Sequence, residues 1–376
     1  MDITDLLTFT KNAGASDLHL SAGVEPMIRI DGRMKRIDAP ALSKEEIHDL
    51  IFDILTDEQQ AAFQEKLDLD FAIELENVAR FRVNVFVQQR GEAAVFRVIP
   101  SKIKSFDELG LPRILTDLTH RDNGLVLVTG PTGCGKTTTL ASMIDLINTH
   151  HEKHVITVED PIEFLHESKK CLMNQREVHR HTHSFANALR SALREDPDVI
   201  LVGELRDLET TQLAVTAAET GHLVLATLHT NSAAKTLDRL VDIFPTEQQE
   251  QIRSMVSESI QGIVAQVLLP RIGGGLAPAV EIMLATAAIR NLIREEKTYQ
   301  IPSIIQTGGR VGMQTMYQAI EGLVVRGVVS KEYLPKDVEP TGDTLSQGPA
   351  LRPARPTSSQ NAASPFETWQ QRNKGK

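Results

Sequence analysis

The stretch Gly130-Pro131-Thr132-Gly133-Cys134-Gly135-Lys136-Thr137 constrains this chain most, because of what flanks it. Before it runs an apolar segment, Leu125 to Thr129, and after it Leu140, Met143, Ile144 and Ile147 fall at helical spacing. Strand, glycine-rich loop and helix in that order form the G-x-x-x-x-G-K-[ST] pattern. Glycines let main-chain N–H groups wrap phosphate, and the helix N-terminus adds partial positive charge. Lys136 is then placed to reach the β and γ phosphates and Thr137 to ligate Mg2+. The candidate nucleotide-binding residues are Gly130, Thr132, Gly133, Cys134, Gly135, Lys136, Thr137 and Thr138, with ATP and Mg2+ as the implied cofactors.

A phosphate cradle binds without hydrolysing, so carboxylates should emerge from neighbouring strands. The apolar run Val199 to Val202 leads into Gly203-Glu204, which sets a carboxylate at a strand's C-terminal edge, where it can hold the metal through its water shell. Val155 to Val158 leads into Glu159-Asp160-Pro161-Ile162-Glu163. One of these three acids can orient or deprotonate the attacking water, and Glu163 is chosen, with Glu159 and Asp160 left open. His222 and His229 bound one further apolar run. His229, at the C-terminal end, is the candidate γ-phosphate sensor, and His222 is expected nearer a subunit boundary. The tract His179-Arg180-His181-Thr182-His183 has no nearby cysteine and is taken as solvated.

The rest of the chain separates by pattern. Residues 1–100 read as a small α+β unit: Ile3, Leu6, Leu7 and Thr10 share a helical face, and Met27, Ile28 and Ile30 run into the turn dipeptide Asp31-Gly32. Ser43 with Glu46 forms a capping box ahead of Ile47, Leu50 and Ile51. Phe81 to Val87 and Ala94 to Val98 alternate as a hairpin that carries Arg80, Arg82 and Arg97. A connector, 101–122, precedes an α/β domain, 123–335, in which strands alternate with helices, as in a parallel sandwiched sheet. Two helices there have visible ends: one capped at Ser184 and stopped by Asp196-Pro197, one running from Asp207 to near Gly221. Ile252, Met255, Val256, Ser259, Ile260 and Ile263 predict a long helix, and the later part of the domain is expected to be helical. Residues 336–376, rich in Pro, Ser and Gln, are expected to form a disordered tail.

Composition excludes several classes. A formal charge of -10 argues against sequence-independent attraction to nucleic acid. Two cysteines, Cys134 and Cys171, cannot build a four-cysteine zinc site within one chain. The opening residues lack a basic start followed by an apolar run, so no secretory signal is expected, and no stretch reaches the roughly 18 apolar residues of a membrane helix.

These motifs, in this order, resemble the secretion ATPase superfamily that drives type II secretion and type IV pili. Ser16-Asp17-Leu18-His19-Leu20 resembles its N-terminal domain, Gly130 to Thr138 its Walker A, Val158 to Phe164 its Asp box, Leu193 to Asp207 its Walker B region and Thr220 to Thr230 its His box. Ala288-Ile289-Arg290-Asn291-Leu292-Ile293-Arg294-Glu295 is similar to an element of the PilT retraction branch. Asn231 and Ala279 depart from the common residues. The resemblance implies a PAS-like N-terminal domain, a RecA-like P-loop ATPase domain with a parallel-rich sheet, and a homohexameric ring. It also implies trans-acting arginines, which fall on Arg82 and Arg97, with Arg113 a further candidate. The expected activity is ATP hydrolysis powering pilus retraction and twitching motility. The expected place is the cytoplasmic face of the inner membrane, against a PilC-like platform protein and beside a PilU-like paralogue. The alternatives are a PilU-like accessory ATPase and, in a different class, a RecA-like nucleic-acid translocase.

Overall fold

The computed structural model describes residues 2–30, 32–76, 78–99 and 102–335. Two compact units result, within Met1–Pro100 and over Ser101–Pro335, each built on its own sheet. Asp31 of the expected turn and the whole 336–376 tail lie outside the described residues.

In the first unit α1 (Ile3–Asn12) leads to β1 (Asp17–Ser21), β2 (Met27–Ile30) and β3 (Arg33–Arg36). Then α2 (Lys44–Phe52) and α3 (Asp57–Lys66) lead to β4 (Asp68–Leu75), β5 (Ala79–Gln88) and β6 (Gly91–Ile99). The strands lie in the order β3-β2-β1-β6-β5-β4, antiparallel throughout. Side chains alternate faces, so Leu18, Leu20, Phe81, Val83, Val85 and Phe96 are buried with Leu6, Leu7, Ile47 and Ile51 of the helices. The capping box at α2 is formed in both directions, Glu46 N–H to Ser43 Oγ and Ser43 N–H to Glu46, a cap worth about 1 kcal/mol. On the opposite sheet face the pairings Arg29–Asp17, Asp17–Arg97 and Arg97–Arg82 set four charges in one cross-strand row.

The second unit begins with α4 (Phe106–Leu109) and α5 (Ile114–Thr119), then runs β7 (Gly124–Thr129), α6 (Lys136–His150), β8 (His154–Glu159) and β9 (Leu172–Glu177). It continues through α7 (Phe185–Ala192), β10 (Val199–Val202), α8 (Leu208–Glu219), β11 (Leu223–Leu228), α9 (Ala233–Asp242) and α10 (Thr246–Ser259). It closes with β12 (Ile260–Pro270), β13 (Leu276–Leu284), α11 (Ala287–Arg294), α12 (Ile301–Thr307) and α13 (Met316–Val325). The strand order is β13-β12-β7-β11-β10-β8-β9, parallel except for the β12–β13 pair. Every residue of β7, β10 and β11 is buried, as continuous apolar strands require when helices cover both faces. Val126, Val128 and Val264 pack against Leu140, Met143 and Ile144 of α6. Leu125, Leu127 and Ile263 pack on the other face with Leu189, Ala214 and Val256.

Two expectations are corrected. The helix drawn from Ile252 to Ile263 stops at Ser259, and Ile260 and Ile263 belong to β12, so the later part of the unit contributes a strand pair as well as helices. Their i, i+3 spacing mimics a helical face. The chain passes from α10 into β12 with no proline or turn, Ile260 already being extended at φ -60° and ψ 132°. The expected connector, 101–122, also carries structure: Phe106, Leu111, Leu115 and Leu118 of the α4–α5 segment are buried in the second unit's core.

Candidate nucleotide-binding site

In the parallel sheet Leu228 pairs with Thr129, Val202 with Ala226 and Val158 with Val202, so β7, β11, β10 and β8 end along one edge. The loop after each strand therefore opens on the same side, where sheets of this kind bind ligands. Gly130 to Gly135 follow β7, with Thr132 and Gly133 exposed, Cys134 buried, and Thr137 and Thr138 half-buried at the start of α6. Gly135 precedes α6 at φ 88°, a left-handed conformation that favours glycine, and supplies no side-chain cap. The first amides of α6 thus lack a side-chain acceptor, the condition in which a helix N-terminus accepts an anion.

Lys136, buried, donates to the Gly130 carbonyl at 2.8 Å and the Pro131 carbonyl at 3.2 Å, and its Nζ lies 3.4 Å from His229 Nδ1. The other ring nitrogen of His229 is 3.0 Å from Glu204 Oε1, while Arg206 lies 2.7 Å from Glu204 Oε2. Burial raises the Glu204 pKa, but the hydrogen bond and charge of Arg206 together with His229 outweigh it and hold the carboxyl below its ordinary range. The structure therefore brings three residues picked from separate motifs, Lys136, Glu204 and His229, into one chain of contacts. Thr227 fixes the Glu204 segment: its hydroxyl donates to Gly203 O at 2.6 Å and its carbonyl accepts from Leu205 N at 3.0 Å.

Glu163 stands half-buried between buried Ile162 and Phe164, in the loop after β8. That loop is held from β9. Gln175 donates to Phe164 O and accepts from His166 N, and Glu177 accepts from Ile162 N. Glu159 is buried beneath it, bonded by Thr157 at 2.6 Å and Gln175 at 3.3 Å. Burial pushes its pKa up to about 7, against those hydrogen bonds and with help from the charge of Glu163, whose main-chain N–H donates to it. The carboxyl is thus partly protonated near neutrality, unlike Glu204.

His222 lies at the opposite strand edge, its ring 3.0 Å from Ala217 O at the end of α8. Arg82 and Arg97 belong to the first unit, Arg97 bonded to Asp17 at 2.8 Å and Arg82 3.8 Å from Asp70. Arg113 is exposed, 3.9 Å from Asp107. In the histidine tract, His181 Nδ1 accepts from Glu177 N, and among the described residues no group of three or more His, Cys, Asp or Glu is arranged to hold a metal. Arg206, Gln175 and Glu177 were not singled out from the sequence. Arg206 alone had a signal, its place two residues after Glu204, because the other two depend on β8–β9 pairing.

A glycine-rich phosphate loop on the C-terminal edge of a parallel-rich, helix-covered sheet defines a P-loop nucleotide-binding protein. Within that class, the chain belongs to the type II/IV secretion system protein family, whose model matches residues 2–276. It is 59% identical over 332 residues to the type IV pilus retractation ATPase PilT of Pseudomonas aeruginosa, covering 88% of this chain and 96% of that one. It is 56% identical over 308 residues to a twitching motility protein of Neisseria gonorrhoeae, covering 82% of each. The crystal structure of the pilus retraction motor PilT with bound ADP superposes with a TM-score of 0.82 at 49% identity, over 88% of this chain and 95% of that one. Among the described residues no helix is long and apolar enough to cross a membrane.

Proposed function

We propose that the protein is an ATP-hydrolysing motor that powers type IV pilus retraction and twitching motility. The observation that carries this reading is the contact chain Lys136–His229–Glu204 at the mouth of the phosphate loop. It links the residue that grips the terminal phosphates to an acid beside the metal position, so occupancy at one end alters contacts at the other. The relatives support the biological role, one being a pilus retraction motor and another a twitching motility protein.

The uncapped start of α6 suits the phosphates of a nucleotide, and the Thr137 hydroxyl and the Glu204 carboxylate would hold its Mg2+. When bound, Mg2+ offsets charge on the phosphates. Lys136 leaves the Gly130 and Pro131 carbonyls for the phosphate oxygens, Glu163 orients the attacking water, and His229 responds to the γ-phosphate. Arg82 and Arg97 act in trans in a homohexamer, which makes turnover depend on assembly, and His222 serves near the subunit boundary. The ring works at the cytoplasmic face of the inner membrane against a PilC-like platform protein, with a PilU-like paralogue as a second partner.

Steady-state ATPase measurement on the wild type beside Lys136→Ala, Glu163→Ala and Glu204→Ala tests the chemistry. Wild-type turnover no higher than that of the variants overturns it. Deleting the gene tests the role: surface pili accumulate and twitching stops, whereas loss of pili means extension.

A further inference from the structure

Along β12, Val264, Gln266 and Leu268 are successive same-face positions, on the side of the sheet that meets α6. Val264 does what such a position asks and packs with Val126, Val128 and Leu140. Gln266 puts an amide there instead, 3% exposed, in a run that is otherwise almost entirely apolar. Burying an amide is unfavourable unless both its ends find partners. Both do: Gln266 Nε2 donates to the Cys134 carbonyl at 2.6 Å, and Gln266 Oε1 accepts from the Thr139 hydroxyl at 2.8 Å.

The register explains why this residue reaches the loop. Ala265 pairs with Thr129, the last residue of β7, so Gln266 lies one step beyond, beside Gly130, while β12 continues to Pro270. Its backbone and side chain form the wall against which the loop is moulded. A Cβ on Gly130 would collide with the Gln266 carbonyl, and one on Gly135 would stand 2.9 Å from the Gln266 amide nitrogen.

We propose that Gln266 is a positioning residue for nucleotide binding, which clamps the Cys134–Gly135 peptide and the first turn of α6 in the phosphate-binding conformation. A trans peptide carries its C=O and N–H on opposite sides. With the Cys134 carbonyl tied behind the loop to β12, the Gly135 N–H is turned to the concave side where phosphate sits. The same side chain holds Thr139, one turn into α6, so loop and helix are set by one rigid amide. Because β12 continues into β13, the clamp also ties the loop to the strand that carries Glu281, which accepts from Ala233 N at the start of α9.

The proposal rests on nucleotide binding at this loop, and the test separates the two. Binding of a fluorescent ADP analogue and steady-state ATPase kinetics are measured on the full-length wild type and on Gln266→Leu, Gln266→Glu and Thr139→Val. Absence of binding by the wild type overturns the nucleotide reading itself. Given wild-type binding, Gln266→Leu is expected to weaken affinity by about tenfold or more and to raise KM more than it lowers kcat, the signature of lost pre-organisation in the bound ground state. Thr139→Val, which removes one of the two bonds, gives a smaller change in the same direction. Gln266→Glu supplies the readout that simple packing would not move. Its protonated carboxyl can donate to Cys134 O, whereas the ionised form cannot, so affinity falls from about pH 6 to about pH 9 beyond any change in the wild type. This variant also carries the test if Gln266→Leu does not fold. Wild-type affinity in all three variants, or a lowered melting temperature with unchanged KM and no added pH dependence, overturns the proposal.

Discussion

His229 and Glu204 face each other at 3.0 Å across the ends of two neighbouring strands, and the second ring nitrogen of His229 points at Lys136. A lysine ammonium can only donate, so the contact with Lys136 asks Nδ1 to accept. Nε2 must then carry the proton towards the Glu204 carboxylate. A single orientation of the ring thus serves both neighbours. His229→Ala removes the link, and kcat for ATP is expected to fall by about 10- to 100-fold, with a smaller change in KM, in steady-state assays. An unchanged kcat would remove His229 from the mechanism.

Glu159 makes stability depend on pH. Its folded pKa, about 7, lies above the ordinary value of 4.5, so between these limits the folded protein keeps a proton that the unfolded chain gives up. Stability from this group is therefore full below the lower limit and is lost as pH rises through the folded value. Glu159→Gln cannot ionise. Relative to wild type it should gain stability between about pH 5 and about pH 8, by an amount on the order of 3 kcal/mol if the whole shift is realised. Denaturant unfolding at the two pH values measures the difference, and a constant difference would contradict the buried proton.

Glu281 accepts from Ala233 N at 2.8 Å and from the amide of Met316, so one carboxyl on β13 holds the first turns of both α9 and α13. Glu281→Ala leaves both amides without this acceptor and should cost about 1 to 3 kcal/mol, read as a lowered melting temperature. Because α9 begins four residues after His229, turnover should drop as well. Gln at the same position keeps an acceptor and should recover much of the loss.

Arg290 tests the retraction-type element in a different way. It donates to the carbonyls of Ser257 and Glu258 at 2.7 and 2.6 Å, and Arg294 reaches the Ser257 hydroxyl. α11 therefore closes the C-terminal end of α10, where carbonyls lack helical partners. Arg290→Ala is expected to destabilise by about 1 to 2 kcal/mol in thermal unfolding.

The second unit was legible where each element buries a self-contained pattern. β7, β8, β10 and β11 are apolar runs, and α7 and α8 begin at Ser184 and Asp207, whose side chains cap them as expected. The phosphate loop, Glu204 and His229 were visible because their neighbours in sequence are strand ends. β9, Leu172 to Glu177, was not, since an edge strand of mixed polarity, LMNQRE, carries no alternating signal. α3 was missed for a similar reason, having Phe63 as its only buried side chain. Gln266 was hidden because its meaning lies in the register of β12 against β7, a contact between residues more than a hundred positions apart.

The row Arg29–Asp17–Arg97–Arg82 permits the most direct test of action between subunits. Asp17 has a side chain 5% exposed, whereas that of Arg97 is 65% exposed, so a buried acid holds the base of an outward-facing guanidinium. Burial raises the Asp17 pKa, but hydrogen bonds from Ser16 and Arg97 and the charge of Arg97 outweigh it and keep the acid ionised below its ordinary range. Removing Arg97 should lower ATP turnover by about 10³-fold if it acts as an arginine finger, and Asp17→Asn should lower it less, by about tenfold, by loosening the same group. The double variant should then match Arg97→Ala alone, because Asp17 acts on turnover only through Arg97. Mixing decides where the arginine acts. Arg97→Ala subunits keep an intact phosphate loop, and Lys136→Ala subunits keep an intact Arg97. A trans mechanism lets the second complete the sites of the first, so the mixture hydrolyses ATP faster than either variant alone, whereas no gain on mixing under conditions of subunit exchange means that Arg97 serves only its own chain.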